Sequence, residues 1–423
     1  MGQRGSQMTN VMNRFGRQRG LQMFADWSDR VAAGAVPPTP PRPRGIERNV
    51  VISIWEWGTE IDYIHDEIAT DKRDPSVNAN GPIYGVNISN DELAILDPLT
   101  HRATNLEVPL RVDPDTVPGM IARSMPAPSR FFGEELVWND PANPHNPMMD
   151  QKGRVWMTSA IRNRANPDYC RDGSDNQYAR YFPLDNGFRS AVFYDPQTQE
   201  FVMVDTCYGT HHLQFAEDEN DTLYFSGGGQ VIGWIDTKLY DETGDEQLAQ
   251  GWCPTVLDTN GDGVITKPWN EPARGGQPQH RDPDLDTRVV VGSYGVIGDP
   301  TDDKAVWISS NRFPGRLARL HVGDSPPQTC VTEMYEVPSV LDPTVPKDKV
   351  GFGSRGIDID RNGVVWTALS GSSHFASFDR TKCAVHSGQT TSEGRHCVDG
   401  WTLYPTPGPE LPGTDPPVRA DYH

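Results

Sequence analysis

The stretch HNPMMDQKGRVWMT, residues 145–158, decides the fold. A short alternating run gives way to a polar corner around Asp150 and Gly153, and a second run follows whose leading aromatic is Trp156. That pattern is a strand, a tight turn and a second strand. The unit recurs as HHLQFAEDENDTLYFS from His211, YGVIGDPTDDKAVWIS from Tyr294 and RGIDIDRNGVVWTAL from Arg355, and in a more interrupted form as HDEIATDKRDPSVNANGPIYG from His65. A third run ending near an Asp follows, as in ELAILDP to Pro98, AVFYDP to Pro196 and FASFDR to Arg380, and then a fourth such as FVMVDT, MYEVP or WTLYP. Four antiparallel strands repeated about five times predict an all-β chain, a β-propeller of four-stranded blades whose first strands line a central channel. Trp156, Tyr224, Trp307 and Trp366 should then stand at equivalent places on second strands, and strand should far exceed helix beyond residue 46.

Outward from the repeats, Leu21, Phe24, Trp27 and Val31 recur at helical spacing and predict one short N-terminal helix. Pro37, Pro38, Pro40, Pro41 and Pro43 then impose an extended tether. The expected organisation is a helical segment 1–36, a Pro-rich linker 37–45, a propeller 46–410 and a tail 411–423. Five blades are readable, and six or seven remain open because NVVISIWEWG (49–58) and the long segment 110–144 are unassigned.

The strand, Asp/Gly turn, Trp-strand and Phe-Asp units resemble those of the virginiamycin B lyase and NHL-type propellers of bacteria over roughly residues 50–407. The resemblance implies a six- or seven-bladed propeller. Streptogramin lyases of that group open a cyclic ester by metal-assisted elimination, so it also implies lyase chemistry. It extends to the blade and to no catalytic signature.

Aligning the repeats on their turns puts His65, His145, His212, Tyr294 and Arg355 five positions before Thr70, Asp150, Glu217, Asp299 and Asp360. Equivalent positions on inner strands sit at one height, so these five should face one mouth of the channel, with His211 alternating away and His374 on a third strand. Three neutral imidazoles from rigid strands suit a divalent transition metal or magnesium and leave positions open for substrate. Alternatively, one imidazole acts as general base while Arg355 holds an anionic group, or the ring is a watered polar plug.

Segments 110–144, 160–189 and 258–292 should lie on the histidine face, where Phe131, Phe132, Tyr169 and Tyr178 could wall a pocket or cover a sheet edge. Within the last of them, DTNGDGVIT places Asp258, Asn260, Asp262 and the Val264 carbonyl at positions one, three, five and seven of a calcium loop, with Gly263 at the bend. Trp269 stands where an EF-hand has Glu, so the motif predicts a calcium-stabilised insertion. No Gly-rich phosphate loop, Ser nucleophile elbow or H-E-x-x-H helix occurs in the sequence.

With 58 acidic and 38 basic residues the formal charge is −20, which argues against nucleic acid. No run reaches the length of a membrane span. The six cysteines include no C-x-x-C pair and fit disulfides, with Cys383 and Cys397 the best pair. Arg4, Arg14, Arg17 and Arg19 precede no apolar run, so the chain reads as a periplasmic or secreted protein shown without its leader. The functional expectation is metal-assisted lyase or hydrolase chemistry on a small organic substrate at the channel mouth. The alternative is a non-catalytic binding module of a larger redox or surface protein, adjoining an N-terminal domain or redox partner.

Overall fold

Alternating apolar residues and acid-Gly turns build five sheets, in a computed structural model that describes residues 17–36, 64–117, 140–272, 282–339, 342–346 and 349–406, with single positions between 42 and 62. Blade 1 runs through Ile64–Ile68, Ile83–Asn87, Glu92–Asp97 and Arg102–Glu107, and blade 2 through His145–Met149, Val155–Ser159, Ser190–Asp195 and Glu200–Val204. Blade 3 comprises Leu213–Phe215, Thr222–Phe225, Val231–Asp236 and Gln250–Pro254. Blade 4 comprises Ser293–Gly298, Ala305–Ser310, Arg316–His321 and Val331–Glu336, and blade 5 Ser354–Ile359, Val365–Leu369, His374–Phe378 and Trp401–Pro405. Every neighbouring pair within these four-strand units is antiparallel, and the first strands neighbour one another from blade to blade. This is the all-β propeller arrangement that the repeats predict.

The second-strand aromatics hold the seams. Trp156 and Trp307 are fully buried. Their indole N–H groups donate to Asp150 Oδ2 at 2.9 Å and Asp299 Oδ2 at 3.0 Å. In these two repeats the turn acid therefore satisfies the one polar atom that the Trp carries into the core. Trp156 packs on Phe215 of blade 3 and Trp307 on Phe378 of blade 5, with ring centroids 6.4 and 6.0 Å apart.

The insertions depart from expectation. Segment 160–189 lies on the outer strands of blade 3: Tyr178 packs on Trp234 and Trp252 at 5.7 and 5.2 Å, and Trp252 Nε1 donates to the Phe182 carbonyl at 2.9 Å. Tyr169 and Tyr178 pack against the core shared by blades 2 and 3. Segment 258–292 sits at the edge of blade 4, where Val256–Leu257 pairs parallel to Val331–Glu336 and antiparallel to Thr287–Arg288. Phe131, Phe132, most of 49–58, Pro37, Pro38, Pro40, Pro41, Pro43 and the tail beyond 406 lie outside the described residues. The helix spans Arg17–Ala32 with Leu21, Phe24, Trp27 and Val31 exposed. No helix among the described residues is long and apolar enough to cross a membrane.

All six cysteines pair, as Cys170–Cys207, Cys253–Cys330 and Cys383–Cys397. The last closes a loop with a sequence separation of 14. Replacing Cys383 and Cys397 by Ser should lower unfolding free energy by about 3 kcal/mol, because the cross-link restricts the unfolded chain. A urea titration reads this directly, and an unchanged midpoint would contradict it.

Candidate functional site

The second-strand aromatics fix the register of each inner strand. Tyr84, Trp156, Tyr224, Trp307 and Trp366 lie opposite Ile68, Met148, Gln214, Ile297 and Asp358. Three residues before each of those partners stand His65, His145, His211, Tyr294 and Arg355. The equivalent residue in blade 3 is therefore His211, and the expectation that His212 occupies that place while His211 turns away is corrected. The cause is the blade 3 turn. Ala216, not Glu217, takes the place of Asp150 and Asp299: its N–H bonds the Thr222 carbonyl as theirs bond the Arg154 and Ala305 carbonyls. A hydroxyl ladder fits the same register, since Thr158 Oγ1 donates to the His211 carbonyl at 2.9 Å and Ser226 Oγ and Ser309 Oγ to those of Tyr294 and Arg355.

Beyond the equivalent residue each inner strand carries one extra residue. In blades 1 and 2 it is Asp66 and Asn146, at positive φ of 58° and 48°, a backbone region that Asp and Asn tolerate. In blade 3 it is His212: the His211 N–H bonds the Ser226 carbonyl while the Ser226 N–H bonds the His212 carbonyl, so both histidines oppose one residue. Their rings stack at 4.3 Å. A bulge re-aims side chains in this way, and it is why alternation fails at His212.

The result is a contiguous histidine cluster. His145 stands 4.7 Å from His65, 4.6 Å from His211 and 5.2 Å from His212, measured between ring centroids. One ring nitrogen from each of His145, His211 and His212 lies within 4.8 Å of the others, and so does one ligand atom from each of His65, Asp66 and His145. Asp66 Oδ2 is 2.9 Å from Nδ1 of both His65 and His145. Burial alone would raise the Asp66 carboxyl, but these two imidazoles override it and hold the group well below the usual carboxylate range. Its hydrogen bond raises His65. Burial pushes His145 down to about 4 and His212 down to about 3, and drives His211 well below its ordinary value. Those three rings are neutral at pH 7, which is the state in which a ring nitrogen binds a metal. His/Asp groupings able to hold a metal are thus present.

Sequence reasoning missed Asp66, His211 and Arg189. Buried Arg189 donates through Nε to the Asn143 carbonyl at 2.8 Å, and its own carbonyl accepts the Thr210 N–H at 3.1 Å. It thereby ties the residues leading into His145 and His211. Asp91 accepts the Ala142 and Asn143 N–H groups at 2.7 Å and fixes the same approach. Asp66 carried a legible signal, lying beside a candidate histidine; Arg189 carried none. Tyr294 packs on His212 at 4.5 Å, and Arg355 lies 4.3 Å over the Tyr294 ring with Nη2 donating to its hydroxyl at 2.8 Å. His374 is apart from this group, hydrogen-bonded with Ser372 at 3.1 Å.

The acidic turn of the 258–292 insertion lies at the edge of blade 4, away from the histidines. Asp258 accepts from the Gly261 and Gly263 N–H groups at 2.7 and 3.0 Å, Asn260 from Asp262 N at 3.0 Å, and Asp262 from Val264 N at 3.0 Å. Gly261 and Gly263 adopt φ of 81° and 85°, which side chains with a Cβ rarely adopt.

No family model and no curated protein matches the chain. Among solved structures it is similar to a catalytically inactive virginiamycin B lyase from Staphylococcus aureus with quinupristin, at 11% identity and TM-score 0.38, covering 74% of this chain and 68% of that one. It is similar to a streptogramin B lyase at 12% and 0.35, over 85% and 86% of the two chains. Kuenenia stuttgartiensis hydrazine synthase matches at 12% and 0.35, over 83% and 90%. The likeness is one of blades.

Proposed function

We propose that the channel mouth holds a first-row divalent metal on His145, His211 and His212, and that the protein uses it for lyase or hydrolase chemistry on a small organic substrate. The observation that carries this reading is the approach of one nitrogen from each of three neutral, partly or wholly buried imidazoles to within 4.8 Å. A bound metal would supply Lewis acidity toward a substrate carbonyl. The protein's own part is positional: Asp66 orients His145 through Nδ1, His65 shares that carboxylate, and Arg189 holds the two chain segments in place. Tyr294 and Arg355 flank the cluster and suit an anionic substrate group. The three disulfides support an exported, periplasmic or secreted setting, and the 258–264 turn reads as a structural calcium loop.

The second reading, a metal-free binding module, draws on the Arg355–Tyr294 pair, a guanidinium held at the cluster's rim. Metal analysis of the purified protein before and after chelator dialysis separates the two. One equivalent of zinc, cobalt or manganese, with turnover of carbonyl substrates lost on chelation, is expected; metal-free protein that takes up none on titration would leave only the binding module. Asp66→Asn keeps the positive-φ turn and removes the orienting charge. It should weaken metal binding about 10- to 100-fold at unchanged stoichiometry, measured by competition with a chromophoric chelator. Unaltered affinity would remove Asp66 from the site.

A further inference from the structure

Asp286 lies outside the acidic turn in sequence, just ahead of Thr287–Arg288, and is completely buried. One carboxylate oxygen, Oδ2, accepts the Thr266 N–H at 3.0 Å. The other, Oδ1, has no hydrogen-bond partner among the described residues. Hydrogen bonds set it beside the turn: Thr259 Oγ1, inside the turn, donates to the Leu285 carbonyl at 3.0 Å and lies 2.9 Å from Thr287 Oγ1, so both neighbours of Asp286 are fastened to the segment that carries Asp258 and Asp262. A buried carboxylate oxygen in hydrogen-bond geometry with no donor, held beside a turn that carries two further carboxylates, is costly unless a cation is shared between them.

We propose that a calcium ion on the 258–264 turn takes Asp286 as an additional ligand from outside the turn, in the role that position twelve plays in a helical calcium loop. This rests on the calcium reading of the turn given above. Trp269, which occupies position twelve in the chain, cannot serve, and its indole N–H is committed to Glu271 at 2.6 Å. Asp258, Asn260, Asp262 and the Val264 carbonyl supply four oxygens where calcium takes roughly six to eight, so a carboxylate from elsewhere is what the turn lacks. The acidic groups stand farther apart than the two histidine clusters, whose ligand atoms meet within 4.8 Å; binding therefore draws Asp286 and the turn together. The ion would brace the seam between blades 4 and 5. The Asp258 carbonyl accepts the Gly388 N–H at 2.7 Å, and Gln389 Nε2 donates to the Pro283 carbonyl at 2.8 Å, both from the loop closed by Cys383–Cys397.

The test is calcium titration of the intact chain, by calorimetry and by melting in calcium chloride against EDTA, with Asp286→Asn and, as a surface-charge control, Asp284→Asn. Expected are one calcium per chain, a melting point raised by calcium, affinity weakened tenfold or more in Asp286→Asn, and no change in Asp284→Asn. In EDTA, Asp286→Asn should melt no lower than the unmutated chain, because a buried unshared charge has been removed. Should Asn not be accommodated, Asp286→Ser gives the same comparison with a smaller neutral side chain. Calcium binding that survives both substitutions within twofold would overturn the role of Asp286 alone. An unmutated chain that binds no calcium would overturn the calcium loop with it.

Discussion

Trp307→Ala should lower the unfolding free energy by about 3–5 kcal/mol, the range for deleting a fully buried large aromatic and leaving a cavity. Trp307 is 1% exposed. It lies between Tyr335 and Phe378, each with its centroid 6.0 Å away, and so joins blade 4 to blade 5. Losing its N–H does not strand the turn acid, because Arg319 Nε still lies 3.3 Å from Asp299 Oδ2. The loss is therefore one of packing and not of an orphaned charge. Trp366 is the internal control. It occupies the same register in blade 5 but is half-buried and stacks on Phe375 and Tyr404 of its own sheet at 5.5 and 5.7 Å. Trp366→Ala should cost less than half as much. Urea unfolding with unchanged slope measures both, and equal costs would show that the aromatic does not serve the seam.

His211→Ala should abolish stoichiometric binding of a transition metal, weakening it by more than about 100-fold, the upper end of what an outer-shell change costs. His65→Ala should leave the metal bound with an affinity loss nearer tenfold, since His65 reaches the proposed ligands through Asp66, 2.9 Å from both Nδ1 atoms. The pair decides between two ligand sets, His145 with His211 and His212 against His65 with Asp66 and His145. Cobalt(II) absorption in the visible gives the geometry, and metal content gives the stoichiometry. Far-ultraviolet circular dichroism should be unchanged in both variants, because the rings face the channel and the blade cores lie behind them. Loss of metal in His65→Ala with retention in His211→Ala would move the site to the second set.

The propeller was legible because its cause is local and repeated. Alternation, an acid-Gly corner and an aromatic opening the second strand recur with enough regularity that Tyr84, Trp156, Tyr224, Trp307 and Trp366 fall on one register. The Cys383–Cys397 pair and the Arg17–Ala32 helix were legible for the same reason, being settled over fewer than twenty residues. The identity of the third histidine was not. Counting from acids gave His212, but hydrogen bonding in the longer blade 3 turn puts Ala216 at the corner, and a bulge opposite Ser226 turns both His211 and His212 to the channel. A single extra residue inverts a period of two, and nothing in the order of side chains announces it. Asp66, Arg189 and Asp286 belong to the same class. Their chemistry depends on groups that approach only in the folded chain, as when Asp66 meets His145 from the neighbouring strand or the Thr266 N–H meets Asp286 across the insertion. Sequence alone thus determined the sheets, since strand and turn formation answer to near neighbours. The tertiary structure alone decided which polar groups share a site, since burial and distance between distant segments set both charge state and ligand reach.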